Sequence, residues 1–178
     1  MSTPTSPVVK VSELFQAGIV VKDTEKSMKL YNSLFGIGTD SWWVVTVDRK
    51  RCQLTYRGQP SQHSFRAAMV MVGPLMIELL QPLEGRGTYR EFLEEYGEGI
   101  HHLGHVIVPD LASVVDRMEK AGFPTVETGE PAVSGQGGHK WAYIDTTSAL
   151  GYITEYSQGT DPRESFRMFM NRRAGGKA

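Results

Sequence analysis

The chain has 178 residues, 40% hydrophobic and 22% charged, with a formal net charge of -1. That balance suits one globular domain, or two small halves sharing a core, and lacks the basic excess of a general nucleic-acid binder. A single cysteine, Cys52, excludes an internal disulfide framework and cysteine-rich zinc sites.

The opening "MSTPTSPVVK" lacks the apolar centre of a signal peptide, and residues 1–11 read as a loose polar leader. No stretch approaches the roughly 18 uninterrupted apolar residues of a membrane span. A cytoplasmic location with no membrane partner is expected. "LFQAGIVV" (14–21) reads as a strand. "DTEKSMKLYNSLFG" (23–36) reads as a helix capped by Asp23 or Thr24 and ended by Gly36. Strands follow at 41–47, 51–58, 64–73 and 75–82, with turn residues between them. "GTYREFLEEYG" (87–97) is a short amphipathic helix with Tyr89, Phe92, Leu93 and Tyr96 on one face. "IHHLGHVIV" (100–108) is a strand, 110–122 a helix, and "FPTVET", "HKWAYIDT" and "GYITEYS" are strands. The tail, 158–178, is polar and basic around an apolar island of Phe166, Met168, Phe169 and Met170. It reads as a solvated extension, or else as a segment that docks on a neighbouring subunit.

Strand, helix and several strands, twice over, make an internal repeat. Laying 15–37 over 101–123 puts Gln16 on His102, Gly18 on Gly104, Val20 on Val106 and Gly36 on Gly122. The expected fold is α+β: paired βαβββ modules, 13–82 and 99–157, joined by a helical linker at 83–98 into one domain spanning 13–157. Each half has an open sheet face, and pairing the halves encloses a cleft in a cupped mixed sheet.

Three histidines, His101, His102 and His105, fall in the strand that opens the second half. Side chains alternate along a strand, so His102 shares a face with Gly104 and Val106, and His101 and His105 take the other. The three cannot converge on one ion. Either His102 acts with partners from elsewhere, or His101 and His105 pair. The repeat supplies partners for His102. Glu78 in "MIELL" and Glu155 in "ITEYS" are carboxylates on apolar strands at matching places in the two halves. Ionised groups there are costly unless they face water, a partner or a metal. Gln16, Glu78, His102 and Glu155 thus form one imidazole, one amide oxygen and two carboxylates, a set suited to a borderline-to-hard divalent ion.

The stretches "GIVVKDTEKSMKLY", "MIELLQPLEG" and "GEGIHHLGHVIVPDL" resemble the vicinal oxygen chelate superfamily, the group of glyoxalase I, methylmalonyl-CoA epimerase, extradiol dioxygenases and bleomycin-resistance proteins. The last two pieces most resemble methylmalonyl-CoA epimerases. The resemblance implies that His102, Glu78 and Glu155 are ligands of one divalent ion (Zn, Co, Ni, Mn or Mg), with His101 and His105 as packing or surface residues. Gln16 stands where epimerases carry histidine, and glutamine there is similar to the zinc site of glyoxalase I. Val20 and Pro82 replace the arginine and asparagine of that enzyme.

The reaction so implied is metal-assisted proton transfer next to a carbonyl, on an acyl-CoA or a similar small oxygen-chelating substrate. Glu155 is the expected base, with Glu78 opposite. Epimerases also carry a non-ligand Glu ahead of the "IELL" strand, where the nearest titratable group here is His63. The alternatives are a glyoxalase I-like lyase and a non-catalytic protein that sequesters antibiotics, with Trp42 and Trp43 offering stacking surfaces on opposite faces. A homodimer is expected, built on the 87–97 helix and the tail island.

Overall fold

The computed structural model describes residues 6–133 and 138–175. In chain order the first half holds β1 (Gln16–Val20), α1 (Thr24–Phe35), β2 (Trp43–Val47), β3 (Cys52–Tyr56), β4 (Gln59–Ser61), β5 (Phe65–Val72) and β6 (Leu75–Pro82). After α2 (Thr88–Tyr96) come β7 (Gly99–Ile107), α3 (Leu111–Lys120), β8 (Thr125–Pro131), β9 (Lys140–Ile144), α4 (Thr147–Leu150), β10 (Ile153–Gln158) and α5 (Pro162–Arg173).

The helix signals act as their chemistry demands. The Asp23 side chain accepts from the N–H groups of Glu25 and Lys26, and Gly36 closes α1 with φ 71°. Asp110 caps α3 in the same way through the N–H of Ser113. One ten-stranded sheet runs through both halves in the order β2-β5-β6-β1-β7-β10-β9-β8-β3-β4. β1 is parallel to β6 and β7 parallel to β10, and β1 and β7 meet antiparallel at the centre, so the two halves are related about that seam. The sheet curls into an open cup, the α+β arrangement that the repeat implies.

Apolar side chains separate onto the two faces. Outside, α1 covers Trp42, Ala68, Val70 and Leu79, and α3 covers Ala142, Ile144 and Tyr156. Inside, Phe65, Met69, Met76, Tyr89, Trp141, Tyr143 and Phe166 share one cluster.

Three features depart from the sequence reading. The strand at 51–58 does not stay with its own half. Arg57 and Gly58, both at positive φ, turn it back on β4, and the hairpin crosses to pair β3 with β8. The 87–97 helix turns its apolar face inward, with Tyr89 buried and Phe92 and Leu93 against the inner cluster. The tail is not a solvated extension, and of its island only Met168 stays exposed. Residues 162–173 form α5, which lies over the inner face: Phe166 is buried, Phe169 stacks on Trp43 at 5.5 Å, and Met170 packs against the inner cluster. Arg163 ties it to Glu13 and Asp161, and Arg173 donates to the carbonyl of Asp40. Residues 1–5 of the leader and 176–178 of the tail lie outside the described residues.

Candidate metal centre and its cavity

The centre of the cup is built on two glycines. Across the β1–β7 seam, Gly18 pairs with His102 and Gln16 with Gly104. On the parallel side of each strand, Gly18 neighbours Glu78 and Gly104 neighbours Glu155. Each glycine is therefore flanked by two of the four polar side chains. The gap is needed: a Cβ on Gly18 would lie 2.0 Å from Cε1 of His102, and one on Gly104 would lie 2.9 Å from Cβ of Gln16. The x-Gly pattern after Gln16 and after His102 makes each half supply the space into which the other half's side chain folds.

The four predicted side chains are brought together. His102 Nε2 lies 3.1 Å from Glu155 Oε2 and 3.8 Å from Glu78 Oε2, and Gln16 Nε2 donates to Glu78 Oε2. Gln16, His102 and Glu155 are almost wholly buried. Apart from the 3.1 Å approach of His102 Nε2 to Glu155 Oε2, Gln16 Oε1, His102 Nε2 and Glu155 Oε2 have no hydrogen-bond partner, although such buried atoms are normally paired. Donors sharing one ion at bond lengths of about 2.0–2.2 Å stand roughly 3–3.6 Å apart, close to the separations found here. Among the described residues no group of three His, Cys, Asp or Glu side chains is placed to hold a metal ion by itself. The donor set here includes an amide as well, and its orphaned atoms are of the kind that a divalent ion would satisfy.

The two carboxylates differ. Burial pushes Glu78 up to about 7, with Glu155 adding to the rise and His102 opposing it. Burial also works to raise Glu155, but the close approach of His102 and His139 to its oxygens outweighs it and holds it at about 2. Ser157 Oγ donates to Glu155 Oε1 as well, at 3.0 Å. Glu155 thus holds a proton more weakly than Glu78 does.

One face assignment is corrected. β7 bulges twice, once against β1 between Ile100 and His102 and once against β10 between Gly104 and Val106, leaving His101 and His105 as the extra residues. The first bulge turns His101 inward, to the side of His102. Its ring is buried among Tyr89, Phe92 and Tyr143. Its Nδ1 is 2.9 Å from His102 Nδ1 and its Nε2 is 2.9 Å from Thr88 Oγ1. His105 stays on the outer side, against Tyr152 and Tyr156. His63 is not among the residues lining the cavity. It is buried, with Nδ1 2.8 Å from Ser61 Oγ and Nε2 3.3 Å from Glu127.

Gln16, Glu78 and Glu155 border a cavity of about 290 Å³ walled by Trp43, Val45, Phe65, Met69, Trp141 and Tyr143 and crossed by Pro162 and Ser165 of α5. Arg51 and Cys52 line its far end. Cys52 pairs with Pro131, four residues along β8 from Glu127, which is level with Tyr143 and Glu155. At about 3.3 Å per residue, that end stands roughly 13 Å from the Glu155 row.

The family model described as glyoxalase/bleomycin resistance protein/dioxygenase superfamily matches residues 15–143, which holds most of this construction. The chain belongs to that superfamily. No curated protein matches it in sequence. Among solved structures, the superfamily fold recurs in methylmalonyl-CoA epimerase from Streptomyces coelicolor (TM-score 0.60, 17% identity, covering 85% of this chain and 100% of that one). It recurs in the epimerase from Mycobacterium tuberculosis (0.54, 21%, 87% and 93%) and in a hypothetical protein from Bacillus halodurans (0.54, 20%, 84% and 95%). At these identities the likeness establishes the fold.

Sequence reasoning missed His139 and the pair Tyr89–Tyr143, all of which line the cavity. His139 Nδ1 faces the carbonyl of Thr160 at 3.3 Å, and its Nε2 faces Ser157 at 3.4 Å and Glu155 at 3.7 Å. The hydroxyls of Tyr89 and Tyr143 are 2.7 Å apart, and burial pushes both phenols far above their usual range, so both are neutral donors. Only the alternation of Trp141 and Tyr143 with His139 along "HKWAY" places them on one face.

Proposed function

We propose that this protein holds one divalent cation with Gln16, Glu78, His102 and Glu155 and moves a proton at a carbon next to a carbonyl of a small oxygen-chelating substrate. The observation that carries the reading is the set of buried donor atoms left without a hydrogen-bond partner, Gln16 Oε1, His102 Nε2 and Glu155 Oε2, with Gln16, Glu78 and Glu155 lining the cavity and His102 directly behind them. The cation supplies Lewis acidity toward the carbonyl oxygen. Trp43, Phe65, Met69 and Trp141 hold the apolar body of the substrate, and α5 limits the entry of water. Glu78, whose burial makes it the stronger proton acceptor of the two carboxylates, takes and returns the proton. Glu155, ionised throughout and tied by Ser157 and His139, anchors the cation.

The Streptomyces coelicolor epimerase was solved in complex with 2-nitronate-propionyl-CoA, which supports including acyl-CoAs among the substrates tested. The glyoxalase-like reading is less favoured, because Val20, at the place of that enzyme's arginine, is fully buried in the inner cluster and does not line the cavity.

The test is metal analysis of the purified protein, followed by incubation of the loaded protein in D₂O with acyl-CoAs and α-hydroxythiol adducts. One equivalent of divalent ion and α-proton exchange are expected. An absence of stoichiometric ion would favour the sequestering protein instead.

A further inference from the structure

Consecutive residues of a regular strand face opposite ways, yet His101 and His102 meet through their Nδ1 atoms at 2.9 Å. The bulge at His101 makes the contact possible, and Gly18 makes room for the second ring. Both rings are shut away from solvent, at 1% and 0% exposure, so neither can exchange this partner for water.

Two imidazole Nδ1 atoms at that distance share one proton. A neutral imidazole carries a single N–H. If His102 turns the lone pair of Nε2 toward Glu78 and Glu155, where a cation would sit, its proton must be on Nδ1. His101 Nδ1 must then be the acceptor, which puts the proton of His101 on Nε2. That atom faces Thr88 Oγ1 at 2.9 Å, an oxygen able to accept. Thr88 is itself held, its backbone N–H donating to Glu127 Oε2 at 3.3 Å at the start of α2. Only one arrangement leaves His102 Nε2 free: His102 Nδ1–H donates to His101 Nδ1, and His101 Nε2–H donates to Thr88 Oγ1.

We infer that His101 is a positioning residue: it accepts the Nδ1 proton of His102, passes the hydrogen-bond chain to Thr88, and so fixes His102 as an Nε2 ligand. The inference rests on the cation reading above. Its chemistry needs an acceptor and a donor at opposite ends of one buried planar group, which an apolar ring of similar size does not offer. Groups hydrogen-bonded to the far side of a ligating histidine typically govern 10- to 100-fold in metal affinity.

The experiment uses the full chain labelled with ¹⁵N in histidine, loaded with Zn²⁺, with affinity read by competition against a chromophoric chelator. In the wild-type protein, long-range ¹H–¹⁵N spectra should show His102 protonated at Nδ1 and His101 protonated at Nε2. His101→Phe, which keeps the packing against Tyr89 and Phe92, should weaken Zn²⁺ binding by about 10- to 100-fold. Its His102 should move toward the Nε2-protonated tautomer. His101→Gln, which restores an acceptor, should recover most of the affinity, and Thr88→Val should fall between. A His101 protonated at Nδ1 in the loaded protein, or unchanged affinity and tautomer in a folded His101→Phe, overturns the inference and leaves the cation site standing. A wild-type protein that binds no Zn²⁺ at all removes the site reading itself.

Discussion

Gly18 shows how much a single residue decides. A methyl group there meets the imidazole of His102 at 2.0 Å, a ring packed on Tyr143 and unable to retreat into solvent. Gly18→Ala should therefore displace the ring and cost at least about 10-fold in Zn²⁺ affinity by calorimetry, in line with other losses of ligand orientation. Unchanged affinity would mean that the ring does not need this space. The carboxylates divide in a comparable way. Glu78→Gln should lower α-proton exchange by about 10²-fold or more. Glu155→Gln should mainly lower metal occupancy, with exchange per bound ion largely kept. The reverse pattern, read from exchange rates with metal content measured in parallel, would return the base to Glu155. The quartet was legible in the sequence because a repeat places Gln16 over His102 and Glu78 opposite Glu155. The inward turn of His101 was not, because alternation assumes an unbroken ladder and a bulge interrupts it.

At the scale of elements, α5 is the clearest gap in the sequence reading. Its apolar residues are few, and the helix was obscured by the polar tail. Yet its end signals were present: Asp161 as cap, Pro162 in the first turn, Glu164 after it and Arg172 and Arg173 in the last turn. A pattern search weighted toward apolar periodicity passes over such a segment. Packing, not propensity, stabilises it, through Phe166 in the inner cluster and Phe169 on Trp43. Phe166→Ala should therefore destabilise the whole fold by about 3 kcal/mol, measured as a lower urea midpoint at unchanged slope. A tail that is only solvated would leave the midpoint where it is. The crossing of the β3–β4 hairpin to β8 had no local signal at all, since Arg57-Gly58 is a weak hairpin mark and the pairing partner lies in the other half.

For the whole molecule, the inward use of α2 and α5 leaves only Tyr96 and Met168 exposed on the surfaces expected to build a homodimer. The expectation passes to α1, where Leu30, Leu34 and Phe35 remain exposed on one helix. Light scattering at micromolar concentration should give twice the 19.8 kDa chain mass, reduced to one chain by Leu34→Lys. A wild-type monomer would end the proposal.

Stability against pH is the other property of the whole fold, and it follows from the two carboxylates. Glu78 is raised from 4.5 to about 7 by folding, so the metal-free native state holds its proton more tightly than the unfolded chain does. Its contribution is intact below pH 4.5 and falls as pH rises to about 7, by about 3 kcal/mol in all. Glu155 is lowered from 4.5 to about 2, so its contribution is intact above pH 4.5 and falls as pH drops toward 2. The chelator-treated protein should therefore be most stable near pH 4.5–5. A divalent cation favours the ionised form of Glu78 and removes the decline on the alkaline side. The gap in melting temperature between loaded and chelated protein should accordingly widen from pH 5 to 7.5. Glu78→Gln, which has no proton to lose, should show no decline over that range when chelated. If the chelated wild-type protein keeps a constant melting temperature from pH 5 to 7.5, the buried, proton-holding state of Glu78 does not exist, and its assignment as the proton carrier fails with it.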